Sequence, residues 1–361
     1  MRILYFFVVN WAGEVADYRR GVVPAHRLFG YAELEKMGHE PSLCPPPKLF
    51  GKLIAKPIYW RIYQALYATF HEKKTDAIFV VNEAAAIPAL VLKKFGLLKT
   101  PIIVFNTGLT HPRNGSGFRK WMWDFLLPCA EAVVSQTEME QDAVWREFGL
   151  RKERQFLIHM LVDVNFFRRD PEVTKGDYVL AVGTNEAKDF PLLMKAMPKE
   201  EKLVIVTDPY NAAIVESHRE PGMQVEVLQA VPIAKLRKMY QEAKVIVNPL
   251  AETPYGSGHT VVLENMVLGN PVIVSAAGGM LDYIEDGVSA IGVKPHDLAD
   301  LSAKLRDYLA NPGKYAHIAR QSPEWVRRFS SEEFARKLIA IAGKLCPSAT
   351  SDAVPHAHAA R

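Results

Sequence analysis

Residues 256–275 read GSGHTVVLENMVLGNPVIVS. The stretch opens as a glycine-bearing loop and then runs apolar, with one carboxylate, Glu264, inside the apolar run. It follows the strand-like KVIVNPL (244–250) and ends in the strand-like PVIVS, so its middle is predicted to be a helix of about a dozen residues crossing between parallel strands. Glycines in the loop let the backbone approach a ligand closely. The first N–H groups of a helix lack intrahelical partners and, with the helix dipole, form an anion site that a diphosphate fits. Glu264 lies about five residues into the helix, ~7–8 Å from its start at ~1.5 Å per residue. That is the reach from a diphosphate to the hydroxyls of an attached ribose, and a carboxylate can accept from both. The competing reading is an exposed Glu264, or one paired to a structural lysine or arginine. Val261, Val262, Leu263, Met266, Val267 and Leu268 leave no broad polar face. The helix is therefore expected to be buried, where a carboxylate needs partners.

Strands and helices alternate on both sides of this unit. Upstream, RILYFFVVN, DAIFVVN (76–82), PIIVFN (101–106), EAVVSQT and RQFLIHM read as strands. Between them lie a predicted helix from Val23 to Met37 stopping at Gly38, and helices EAAAIPALVLKKFG, KWMWDFLLPCA and EMEQDAVWREFG. After the polar RRDPEVTKGD (168–177) the alternation restarts with YVLAVG, FPLLMKAM, KLVIVTD, QVEVLQA and IAKLRKMYQEA. The fold class is α/β, with two Rossmann-like doubly wound domains facing each other across a cleft. The expected divisions are 1–167, 168–325, a C-terminal helix 326–346 packing back towards the first domain, and a disordered tail 347–361.

Composition agrees with two soluble cores: 361 residues, 49% hydrophobic and 23% charged. A net charge of +4 suits an anionic small ligand or an acidic membrane surface, and no nucleic-acid-binding motif is present. Three widely spaced cysteines make neither a disulfide framework nor a zinc site, which favours a reducing, cytoplasmic setting. The N-terminal apolar run is short and preceded only by Arg2, so it reads as a strand rather than a targeting segment.

PLAETPYGSGHTVVLENMVLGNPVIVSAAGGMLDYIEDG resembles the donor-site signature of retaining GT-B glycosyltransferases of the family 4 type (glycosyl transferases group 1). Glu264-Asn265-Met266, Gly269-Asn270-Pro271-Val272-Ile273 and Gly278-Gly279 carry the resemblance. VLAVGTNEAKDFPLLMKAM is similar to the opening of the family's second domain, and FLIHMLVDVNFF to its interdomain segment, with Asp163 and Phe167 in place. The resemblance covers about 320 residues and implies transfer of a sugar from a nucleotide-diphosphate sugar, UDP- or GDP-linked first, with retention and without a metal or other cofactor. It implies Glu264 on the ribose and Lys188 on the diphosphate. Gly13, Gly183, Thr184, Gly256, Ser257, Gly258, His259 and Thr260 are the other donor-binding candidates, and His111 and Glu252 join Lys188 as catalytic ones. The acceptor is a saccharide, a lipid-linked sugar or a small molecule, and no nucleic acid is expected as partner.

The chain departs from the family pattern at several points. The glutamate usually found eight residues before the ribose-binding one is Gly256 here. Either Glu252 reaches the donor from a longer loop, or GSGHT serves the sugar through its backbone and His259. Thr184 replaces a common arginine, and Gly13 alone stands for a usual glycine pair. An inactive binding protein, and an epimerase or phosphorylase on the same fold, are the alternatives. The basic, aromatic segment 48–74 reads either as a helix packed on its own sheet with its lysines in water, or as a peripheral contact with the inner face of the membrane, or as the wall of an acceptor pocket.

Overall fold

In the computed structural model, which describes residues 1–47 and 56–347, two six-stranded parallel sheets form from the predicted apolar runs. The first sheet holds β1 (Arg2–Phe6), β2 (Glu40–Leu43), β3 (Ala77–Val80), β4 (Ile102–Phe105), β5 (Ala132–Ser135) and β6 (Gln155–Leu157), in the order β2-β1-β3-β4-β5-β6. Its helices are α1 (Ala12–Arg19), α2 (Tyr31–Lys36), α3 (Pro57–Phe70), α4 (Glu83–Lys94), α5 (Gly117–Leu126) and α6 (Glu138–Phe148). The second sheet holds β7 (Val179–Val182), β8 (Lys202–Val206), β9 (Gln224–Leu228), β10 (Val245–Asn248), β11 (Val272–Ser275) and β12 (Ile291–Val293), in the order β12-β11-β10-β7-β8-β9. Around it lie α7 (Phe190–Ala196), α8 (Pro209–Ser217), α9 (Ile233–Glu242), α10 (His259–Val267), α11 (Leu298–Ala310) and α12 (Ala316–Trp325), and α13 (Ser331–Leu345) closes the chain.

The central strands are apolar along their whole length because both faces are covered. Side chains alternate with a period of two. Ile3 and Tyr5 therefore enter one core with Phe79 and Phe105, while Leu4 and Phe6 enter the other with Ile78 and Val80. The second sheet repeats the arrangement. The chain crosses back near its end. Val326 and Phe329 pack in the second domain, whereas Phe334, Ala335 and Leu338 of α13 pack in the first, with Phe334 edge-on to Phe105 at 5.6 Å.

The predicted helix from Val23 to Met37 is two pieces. A short 3-10 turn at Ala25–Leu28 is separated from α2 by Phe29 and Gly30, both at positive φ. A Cβ at Gly30 would lie 3.1 Å from Phe334 Cδ1, so the break leaves room for α13. β2, α1 and α8 lack strong periodicity in sequence and were not predicted, and α12, though amphipathic, was not predicted either. Residues 48–55 of the basic segment, and the expected disordered tail beyond Pro347, lie outside the described residues. No helix among the described residues is long and apolar enough to cross a membrane.

Candidate functional site between the two sheets

In the second sheet the order reverses between β7 and β10, so the loops after these strands diverge to opposite faces and leave a crevice at the strands' carboxyl ends. Gly183 follows β7, and Asn248 ends β10. Lys188, in the loop after β7, folds back over Gly183: a Cβ there would sit 1.9 Å from Lys188 Cε. Its Nζ donates to Asn248 Oδ1, and Asn248 Nδ2 donates to the carbonyl of Gly258, 3.2 Å away. Gly258, at φ +73°, is the residue before the first turn of α10. Two hydrogen bonds thus tie the lysine to the helix N-terminus that the sequence marks as an anion site.

Lys188 is 7% exposed, and no carboxylate lies within ion-pair distance among the described residues. Burial alone lowers its pKa to about 7. At the same helix terminus, Ser257 Oγ and His259 Nε2 are buried without a hydrogen-bond partner among the described residues. His259 stacks on Tyr283 at 4.0 Å, and burial lowers its pKa to about 3, so the ring is neutral. An uncompensated cation, two unpaired polar atoms and a helix N-terminus meet in one place, the arrangement an anion completes.

Glu264 sits one turn further along α10 and is 4% exposed. Tyr240 Oη of α9 donates to its Oε2 at 2.9 Å, and His26 Nε2 of the first domain lies 3.5 Å from its Oε1. Burial raises Glu264 to about 8 and lowers His26 to about 4, so the two face each other neutral rather than as an ion pair. His26 Nδ1 accepts from the Asp163 N–H, and Asp163 Oδ2 accepts from the Ala25 N–H, which fixes the turn that carries His26 to the second domain.

Loops of the two domains also meet one another beside this crevice. His111 Nε2 lies 2.8 Å from Glu186 Oε1, Tyr255 Oη donates to the same oxygen at 3.0 Å, and the His111 and Tyr255 rings stack at 5.3 Å. Beside them, Thr184, Asn185, Glu186, Asp208, Tyr210 and Tyr255 line a cleft of about 450 Å³. A larger cavity of about 740 Å³, lined by Glu33, Asp163 and Arg327 among others, lies where the chain passes between domains, away from the β7–β10 crevice.

Glu140 of α6, 1% exposed, accepts at 2.7 Å from the Gly256 N–H and at 2.9 Å from the Gln136 N–H. A Cβ at Gly256 would lie 3.3 Å from Glu140 Oε1 and 2.5 Å from His259 Cε1. Where the related pattern has a glutamate, a side chain in this chain would press on His259 and Glu140 as they stand, and Glu140 brings a carboxylate from the opposite domain beside the position. Thr137 caps α6, and Thr137-x-x-Glu140 is a capping-box spacing legible in sequence. Its reach to Gly256 is not legible there. Glu140→Gln places an amide N–H against one of two backbone N–H groups. It should destabilise the protein by about 1–2 kcal/mol, read by thermal unfolding.

The remaining sequence candidates are less enclosed. Gly13 is exposed in the first turn of α1 with nothing within 4 Å of an added Cβ. Thr184 lines the cleft but is exposed, and Gly256 and Thr260 are half-buried. Glu252 is exposed, with no hydrogen bond or ion pair among the described residues. Sequence reading missed Asn248, Glu140, Glu186, Tyr240 and His26. Only Asn248, a polar residue ending an apolar strand before a proline, carried a signal.

Two facing doubly wound domains with a β7–β10 switch-point crevice define the fold as GT-B. Two solved structures share it along nearly the whole chain. A glycosyltransferase from Rickettsia africae superposes with a TM-score of 0.73 at 15% identity, covering 96% of this chain and 99% of that one. Anabaena HepE in complex with UDP and glucose superposes with a TM-score of 0.69 at 17% identity, covering 95% and 100%. Residues 176–311 match the family model described as glycosyl transferases group 1. Among curated relatives, a D-inositol 3-phosphate glycosyltransferase from Catenulispora acidiphila is 23% identical over 278 residues, which is 69% of this chain and 65% of that protein. One from Nocardiopsis dassonvillei is 29% identical over 229 residues, 56% and 53%. The chain thus spans between half and two thirds of the length of these relatives.

Proposed function

We propose that this chain is a retaining, metal-independent glycosyltransferase that moves a sugar from a nucleotide-diphosphate sugar, UDP- or GDP-linked first, to an acceptor hydroxyl. The observation that carries the reading is the buried Lys188 ammonium, without a carboxylate partner among the described residues, beside the α10 N-terminus with its unpaired Ser257 and His259 atoms. The match of residues 176–311 to the group 1 family and the UDP held by HepE support it.

In the proposed reaction the bond from the anomeric carbon to the diphosphate oxygen breaks, and a bond to the acceptor oxygen forms on the same face. The acceptor proton passes to the departing phosphate oxygen, so no protein nucleophile is assigned. Lys188 and the N–H groups of Ser257–Thr260 hold the charge that develops on the leaving nucleoside diphosphate, a preorganised electrostatic role. His111 faces the sugar from the first domain. Glu264 takes the ribose hydroxyls once the domains part far enough for His26 to leave its carboxylate. Closure then excludes water.

A panel of UDP-, GDP-, ADP- and dTDP-sugars tests the reading by thermal shift and by transfer, with the product anomer assigned by NMR. One base is expected to raise the melting temperature and support transfer with retention. No shift with any of them removes the reading. A shift without turnover identifies a binding protein instead.

A further inference from the structure

The helices α3, α4 and α5 share one core on one face of the first sheet, so their outward sides form one layer facing away from it. Of the sixteen exposed large apolar side chains among the described residues, ten lie between residues 58 and 125. On α3 the outward positions are Ile58, Ile62, Leu66 and Phe70, spaced four apart, and Phe70 is 82% exposed. On α5 they are Phe118, Trp121 and Phe125, with Phe118 73% exposed. An exposed helix with an apolar outer stripe leaves unpartnered the face that water should cover.

The charge around this layer is one-sided. Residues 56–126 hold ten lysines and arginines against four aspartates and glutamates. Between the helices runs a groove of about 400 Å³ lined by Arg61, Arg113, Arg119 and Phe118. None of these arginines is in an ion pair among the described residues, and Arg61 Nε is buried without a hydrogen-bond partner there. The carboxylate in the groove, Glu83, is occupied by the N–H and hydroxyl of Thr107.

We propose that the α3–α5 layer docks on an anionic phospholipid surface, its apolar stripes entering the headgroup boundary and the arginine groove seating a lipid phosphate. Apolar insertion combined with cationic attraction is what holds an interfacial helix to a bilayer, and a guanidinium pair matches a phosphate in geometry and charge. Unpaired arginines beside exposed tryptophan and phenylalanine supply both terms. A protein partner or a second copy would not by itself call for the three arginines. α3 packs on its own sheet through Trp60, Gln64, Ala65 and Ala68, and it is the opposite side of the same helix that carries the exposed apolar stripe.

Co-sedimentation of the full chain with vesicles tests this without any transfer reaction. Binding is expected to vesicles of phosphatidylcholine with phosphatidylglycerol, to weaken in high salt, and to fall to background with phosphatidylcholine alone. Trp121→Ser with Phe125→Ser should lower binding to the neutral-vesicle level. Arg113→Gln with Arg119→Gln should lower the partition coefficient about thirty-fold. Both variants should keep the wild-type melting temperature, because the replaced side chains are exposed. Equal binding to both vesicle types, no binding to either, or binding unchanged in both variants overturns the proposal. So does light scattering that shows a dimer lost with Trp121→Ser and Phe125→Ser, or glycerol phosphate that occupies the arginines saturably while vesicles do not bind.

Discussion

Lys188→Met is expected to lower kcat/KM with the nucleotide sugar by about 10²–10³-fold while leaving the protein as stable as the wild type or more so. The rate loss follows from removing a preorganised cation from the departing diphosphate. The stability result follows from burial: an ammonium without a carboxylate partner is costly, and methionine fills the space without charge. Activity and stability moving in opposite directions is the mark of a functional charge, because loss of a structural lysine would lower both. The pH dependence supplies a second reading. In the free protein burial holds Lys188 at about 7, and a bound diphosphate favours the charged form. Donor affinity should be highest below pH 7 and fall about ten-fold per unit above it until the bound-state pKa is passed. Glu140 at about 7 and Glu264 at about 8 titrate in the same window, so calorimetry on Lys188→Met, in which this lysine component vanishes, isolates it.

Glu264 is expected to separate in the same way. With its pKa raised to about 8, the carboxyl is mostly protonated at pH 7 in the unliganded protein, and glutamine imitates that state. Glu264→Gln keeps an acceptor for Tyr240 and should change stability by less than about 0.5 kcal/mol. It should weaken the donor about ten-fold or more, because the amide NH2 cannot accept and its one oxygen, already accepting from Tyr240, has a single lone pair left for two ribose hydroxyls. Glu264→Ala leaves a cavity and strips Tyr240 Oη of its partner, at a cost of about 2–4 kcal/mol. Unchanged donor affinity in Glu264→Gln would confine the residue to the interdomain contact. The sign of its own pH effect is fixed by the same shift. Its folded pKa lies above the unfolded value near 4.5, so its stabilising contribution is complete below about 4.5 and is lost as pH rises through about 8. His26, His159 and His259, held near 4, 4 and 3, act oppositely and lose stability as pH falls below 6.5, so their three contributions outweigh that of Glu264 and the acid limb should steepen below about 4.5, where its gain is complete.

Much of this site was legible because its signals are local. Apolar runs such as Ala77–Val80 and Val272–Ser275 mark buried parallel strands, and Gly258 before an apolar helix marks its start. Lys188 was named as a diphosphate candidate by the resemblance of VLAVGTNEAKDFPLLMKAM to the opening of the family's second domain. Its burial was not visible, since a lysine in TNEAKD reads equally well as a solvated loop residue. Gly256 read as a missing glutamate. The structure shows instead that the space there is taken by His259 and by Glu140 of the other domain.

The sequence by itself determined the two α/β domains, the switch-point helix and the residues gathered on its loop, because strand periodicity, glycines and helix termini act over a few residues. Only the tertiary structure decided what stands opposite them: Asn248 on Lys188, Tyr240 and His26 on Glu264, Glu140 on Gly256, and the outward turn of the α3 apolar stripe. Those pairings join residues distant in the chain, and their pKa shifts come from burial. Both depend on how the two sheets close on each other, which no local pattern encodes.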